Sequence, residues 1–144
     1  MDKILIPVDD RSEARTRHAV AEAVAIYRLA PVDIHLLNVQ PLVSGHVAMF
    51  FLGGSLRQMQ LDAGEQVLGV ARALFEAAGV PCQGTVVIGH SAESIARRAQ
   101  ELGCGRIVMG YDDSRRLADR VLGGLAPQVR HLIGASGTCQ VLGS

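Results

Sequence analysis

The sequence predicts an α/β fold: a doubly wound, five-stranded parallel sheet with four main helices, in three layers, formed by one domain over residues 1–144. Three observations predict it. Short apolar runs of strand length alternate with longer segments whose apolar residues recur at three- and four-residue spacing, in the order β-α-β-α-β-α-β-α-β. Strands separated by helices need crossovers, which are right-handed and place helices on both faces of a parallel sheet. The chain is 144 residues long, 49% apolar and 19% charged, enough to bury one sizeable core and too apolar for a disordered chain.

The elements follow in order. Lys3-Ile4-Leu5-Ile6-Pro7-Val8-Asp9 is a nearly continuous apolar run, the pattern of a strand covered on both faces. Ser12 can cap the next helix, in which Ala19, Val20, Ala23, Val24 and Tyr27 share a face. Ala30-Pro31 ends it, because the residue before proline is pushed out of the helical region. Asp33 to Val39 is the second strand. Gln40 to Ser55 holds Pro41, Gly45, Gly53 and Gly54 and reads as a long loop, whose apolar segment Val47 to Leu52 is a candidate lid or contact for a protein partner. A helix from about Leu56 to Ala78 carries Val67, Ala71, Leu74, Phe75 and Ala78 as its stripe, with Gly79 after its end. Gln83 to Ile88 is the third strand. The helix from Ser91 to Leu102 turns Ile95, Ala99 and Leu102 inward and stops at Gly103, and Arg106 to Gly110 is the fourth strand. Proline fits only the first turn of a helix, so Pro127 starts the last helix near Gly124 or Leu125, with Val129, Leu132 and Ile133 within it. That start puts Gly123-Gly124 at a helix N-terminus, where free amides and the dipole attract anions. Thr138 to Leu142 is the fifth strand.

Composition excludes several classes of function. Fourteen basic and fourteen acidic side chains cancel to zero net charge, so no long-range field gathers nucleic acid or an acidic membrane surface. The longest apolar run, Val47 to Gly54, is far shorter than the roughly 20 residues that a bilayer requires. No charged-then-apolar leader follows Met1, and a cytoplasmic location is expected. Cys82, Cys104 and Cys139 are odd in number with no ligand spacing, as reduced thiols would be. Lys3, at the start of a strand, is the only lysine, which removes a Walker lysine, a Schiff-base lysine or a lysine base from consideration. Gly103-Cys104-Gly105 precedes a strand instead of following one and is no dinucleotide fingerprint. No nucleophile, base and orienting group can be assembled from spacing, so neither a catalytic set nor a metal site is assigned.

In a sheet of this kind ligands bind beyond the carboxyl ends of the strands, where the strand order reverses. The segments to read are therefore Asp9 to Ser12, Val39 to Pro41, Gly89-His90 and Gly110 to Gly124. Asp9 and Asp10 suit a metal, a ribose hydroxyl or a simple cap. His90 suits a base, a phosphate contact or a helix cap with Glu93 closing a capping box.

These segments resemble the universal stress protein family. The resemblance lies in Ile4-Leu5-Ile6-Pro7-Val8-Asp9, in Gly89-His90-Ser91-Ala92-Glu93-Ser94-Ile95, and in Ile107-Val108-Met109-Gly110 leading to Leu122-Gly123-Gly124, in order and at this spacing. It implies a Rossmann-like fold of five parallel strands and four helices, a stress-response role and a homodimer paired through the last strand. Many members bind ATP through a motif written Gly-x2-Gly-x9-Gly-Ser/Thr. On this chain Gly110 matches its first glycine and Gly123 its third; Asp9 matches the nucleoside aspartate and Val39 the base contact. The implied nucleotide-binding set is Pro7, Val8, Asp9, Val39, Met109, Gly110, Asp113, Gly123, Gly124 and Leu125. Two positions depart: Asp113 stands for the second glycine and Gly124 for the hydroxyl residue. A carboxylate repels a polyphosphate and blocks close backbone approach. The expected function is a regulatory module with weakened or lost ATP binding that takes AMP or a similar nucleotide. The alternative is a magnesium-dependent, slowly hydrolysing ATP binder in which Asp113 holds the cation. A phospho-acceptor receiver domain shares the fold class, but the third strand ends Val87-Ile88-Gly89 with no acceptor aspartate.

Overall fold

Ile4, Leu5 and Ile6 are each 0% exposed, because the strand they form lies at the centre of the sheet and is covered on both faces. The computed structural model describes residues 1–45, 54–111, 124–134 and 139–143. Its elements are β1 (Lys3–Pro7), α1 (Glu13–Leu29), β2 (Asp33–Gln40), α2 (Ser55–Ala77), β3 (Gln83–Ile88), α3 (Ser91–Leu102), β4 (Arg106–Gly110), α4 (Leu125–Ile133) and β5 (Gln140–Gly143). The strands are all parallel, in the order β3-β2-β1-β4-β5. The expected five-stranded, doubly wound sheet with four helices is the one observed. Ile4, Ile6, Leu36 and Val108 pack under α1 and α2, whereas Leu5, Leu37, Ile107 and Met109 pack under α3 and α4.

Local chemistry sets the helix ends. Arg15 N donates to Ser12 Oγ at 3.1 Å, and α1 closes at Ala30 before Pro31. Pro127 stands third in α4, which starts at Leu125 with Gly124 as its N-cap. His90 is the N-cap of α3, but its side chain makes no cap hydrogen bond; its carbonyl accepts from Ser94 N at 2.9 Å. Strand β5 runs Gln140–Gly143 instead of Thr138 to Leu142. Thr138, like Val47 to Leu52, Asp113 and Gly123, lies outside the described residues.

The inner face of α2 departs from expectation. Gly64, Leu68, Ala71 and Phe75 are buried, while Val67, Leu74 and Ala78 are only partly so. The cause is close approach at Gly64: a Cβ there would come within 2.7 Å of Val86 Cγ2 and 2.8 Å of Asn38 Oδ1. The missing side chain lets the helix lie directly on β2 and β3, which rotates the buried stripe by one position.

The outer edge of β5 is occupied from within the chain. Gln140 N donates to Gly105 O at 2.9 Å, so the backbone of Gln140 faces β4 and that of Val141, by alternation, faces away from it. Arg130 on α4 reaches round this edge, donating from Nη2 to Val141 O at 3.1 Å and Gly143 O at 2.8 Å.

Candidate functional site

β1 has β2 on one side and β4 on the other, so the chain reverses direction across the sheet between β1 and β4. The carboxyl ends of these strands form the switch point at which ligands bind in such folds. A cleft of about 750 Å³ opens there, in the range of small-molecule sites. It is lined by Asp9 to Arg11 after β1, by Asn38 to Leu42 at the end of β2, and by Gly89 to Ser91, Gly124, Leu125 and Gln128 at the starts of α3 and α4.

The chain leaving β1 is fixed from both sides. Val8 N donates to Leu37 O at 2.8 Å, and Asn38 Nδ2 donates to Val8 O at 2.9 Å. Asn38 is 3% exposed, so this bond serves a carbonyl with little access to water. Gln40 Nε2 then donates to Asn38 Oδ1 at 2.7 Å, while Gly89 N donates to Gln40 O at 3.0 Å and ties the start of α3 to the same strand. Asp9 turns its side chain back on the loop, its Oδ1 accepting from Arg11 N at 3.0 Å. This Asx turn orients the carboxylate at the rim. On the far side of β1, Gly124 presents the amide end of α4, whose unpaired N–H groups and dipole favour an anion.

The structure brings Asp9, Val39, Gly124 and Leu125 together around this cleft. Val8 and Met109 are each 4% exposed and lie behind it, Pro7 is half-buried within β1, and Gly110 is buried against the carbonyl of Arg15. These four shape the cleft without lining it. Asp113 and Gly123 lie outside the described residues. Sequence reading missed Asn38 and Gln40. The available signal was a polar residue inside the apolar run Leu36-Leu37-Asn38-Val39, since a buried amide must find partners.

The thiols offer no nucleophile here. Burial, with Cys139 nearby, pushes the Cys104 thiol up to about 11, and burial also raises Cys82 and Cys139. A neutral thiol is neither nucleophile nor metal ligand at physiological pH. No group of three or more His, Cys, Asp or Glu able to hold a metal is found among the described residues. Among them, too, no helix is long and apolar enough to cross a membrane.

Among curated proteins, none matches this sequence. Solved structures do. A universal stress protein in complex with cAMP superposes with a TM-score of 0.72 at 18% identity, over 99% of this chain and 96% of that one. One from Archaeoglobus fulgidus in complex with dAMP gives 0.63 at 16% identity, over 99% and 97%. A member from Burkholderia pseudomallei gives 0.65 at 25% identity, over 99% and 95%. The sequence model of the universal stress protein family matches residues 1–133, a span that holds every element described above except β5. On that match, this chain belongs to the universal stress protein family.

Proposed function

We propose that the chain is a regulatory, nucleotide-binding stress-response module that takes an adenosine monophosphate-type nucleotide in preference to ATP. The observation that carries this reading is one cleft holding Asp9 on one side and the N-terminus of α4 at Gly124 on the other. A carboxylate accepts hydrogen bonds from a sugar diol, and the helix terminus accepts a phosphate. The complexes of two structural neighbours with cAMP and dAMP support a nucleotide with a single phosphorus. Asp113 stands where the family's second motif glycine would be, and Gly124 removes a hydroxyl donor. Both changes disfavour a triphosphate tail, the first by like-charge repulsion and the second by about 0.5–1.5 kcal/mol for the lost bond.

Calorimetric titration with AMP and ATP tests the reading. AMP is expected to bind at least about tenfold more tightly than ATP, and Asp9→Ala to weaken AMP by about tenfold through the loss of a charged acceptor. ATP binding at low micromolar or better, with no metal present, contradicts it.

The same reading includes a homodimer paired through the outer edge of β5. Arg130 competes with that pairing, since it already satisfies the carbonyls of Val141 and Gly143. An exposed guanidinium contact is worth about 0–1 kcal/mol, and two must leave per dimer, so Arg130→Ala is expected to tighten self-association by up to about 30-fold. Light scattering over a concentration series reads the shift. Unchanged association in the variant counts against β5 as the pairing edge.

A further inference from the structure

The geometry assigns Gln40 as the residue that selects the base, its Oε1 accepting from an exocyclic amino group and disfavouring a ring oxo group at the same place. This inference rests on the nucleotide reading above and narrows it to one class of base.

The order of chemistry around the cleft says where a base would lie. Phosphate belongs at the start of α4, beyond the β4 side of β1, and the sugar belongs at Asp9, which follows β1 itself. A nucleotide laid along that line puts its base on the opposite side of β1, over the end of β2. Gln40 is the last residue of β2, is half-buried and lines the cleft.

A chain of hydrogen bonds fixes which way its amide faces. Val8 O is a carbonyl and can only accept, so the group 2.9 Å from it must be the nitrogen of Asn38. The oxygen of Asn38 is then left to accept, and it does so from Gln40 at 2.7 Å. The nitrogen of Gln40 is thereby committed toward Asn38, and its Oε1 is turned away. A glutamine with a free amide can flip and greet either a donor or an acceptor; this one cannot flip without setting two acceptors against each other.

An amide held acceptor-outward discriminates by rejection. Adenine carries an amino group at position 6, where hypoxanthine and guanine carry an oxygen. Oxygen against oxygen leaves both unpaired, and a site built to bond a polar group discriminates strongly against the analogue that lacks it. The expected preference is about tenfold or more for AMP over IMP, two ligands that share sugar and phosphate.

The test is calorimetric titration of the full chain with AMP and IMP, for the wild type, Gln40→Leu and Gln40→Met. The expected result is a wild-type ratio of about ten or more that falls to within about twofold of unity in both variants, IMP affinity changing little. Equal binding of AMP and IMP by the wild type overturns the assignment while leaving the nucleotide reading intact. So does a ratio that survives in both variants. Binding of neither ligand overturns the nucleotide reading and this assignment with it. Matching thermal midpoints for wild type and variants show that folding is not what the titrations report.

Discussion

Gly110→Ala is expected to cost about 2–5 kcal/mol of folding stability, measured by urea unfolding. Two effects add. Gly110 sits at φ +76°, a left-handed conformation that costs a residue with a Cβ roughly 1–2 kcal/mol. The new Cβ would also run into the backbone carbonyl of Arg15 and lie 3.1 Å from Ala19 Cβ. A carbonyl inside α1 cannot step aside as a flexible side chain can, so relief requires the helix itself to move off β4. Overpacking of this kind costs about 1–3 kcal/mol. Gly69→Ala is the matched control: it lies within α2 with nothing within 4 Å of its added Cβ, and should gain about 0.5–1 kcal/mol from helix propensity alone. A change at Gly110 smaller than about 0.5 kcal/mol would show that α1 does not rest on the end of β4 as described.

This glycine illustrates how the fold divides into what local sequence carries and what it does not. Helix ends were legible because each depends on neighbours in the chain: the hydroxyl of Ser12, the proline after Ala30, the fixed φ of Pro127. The double coverage of β1 was legible because three successive apolar residues admit no solvent face. The strand order was not, since pairing Leu5 with Ile107 depends on contacts about a hundred residues apart, and it came from the family resemblance. The face of α2 was misread for a related reason. Gly64 contributes nothing to an apolar count, yet its absence of a side chain decides how the helix lands. At the site, Asp9 was legible as a carboxylate after a strand. The partners of Asn38 were not, because Val8 is thirty residues away and nothing local marks its carbonyl as needing a donor.

That carbonyl gives the second large effect. Asn38→Asp keeps size and shape and keeps an oxygen for Gln40, but it sets an oxygen where the donor to Val8 stood. Leaving a buried acceptor unpaired costs about 1–3 kcal/mol, and a charged group in so dry a place costs more, so a loss of about 3 kcal/mol is expected at neutral pH. The loss should depend on pH, with a definite sign. Burial and the facing carbonyl both disfavour the ionised form, so the introduced carboxyl titrates above the roughly 3.9 of an exposed aspartate. A protonated carboxyl carries an O–H that can donate to Val8 O. Between the two pKa values the folded variant holds more protons than the unfolded one, so its stability falls as pH rises through that window and recovers as pH drops. Wild type has no such group at this position, and the difference between the two unfolding curves isolates it. Asn38→Leu, which has no donor at any pH, should show a deficit that does not recover in acid. If both variants lose the same amount at every pH, volume beside Gly64 explains the loss, and the hydrogen bond to Val8 is not what holds Asp9 at the cleft.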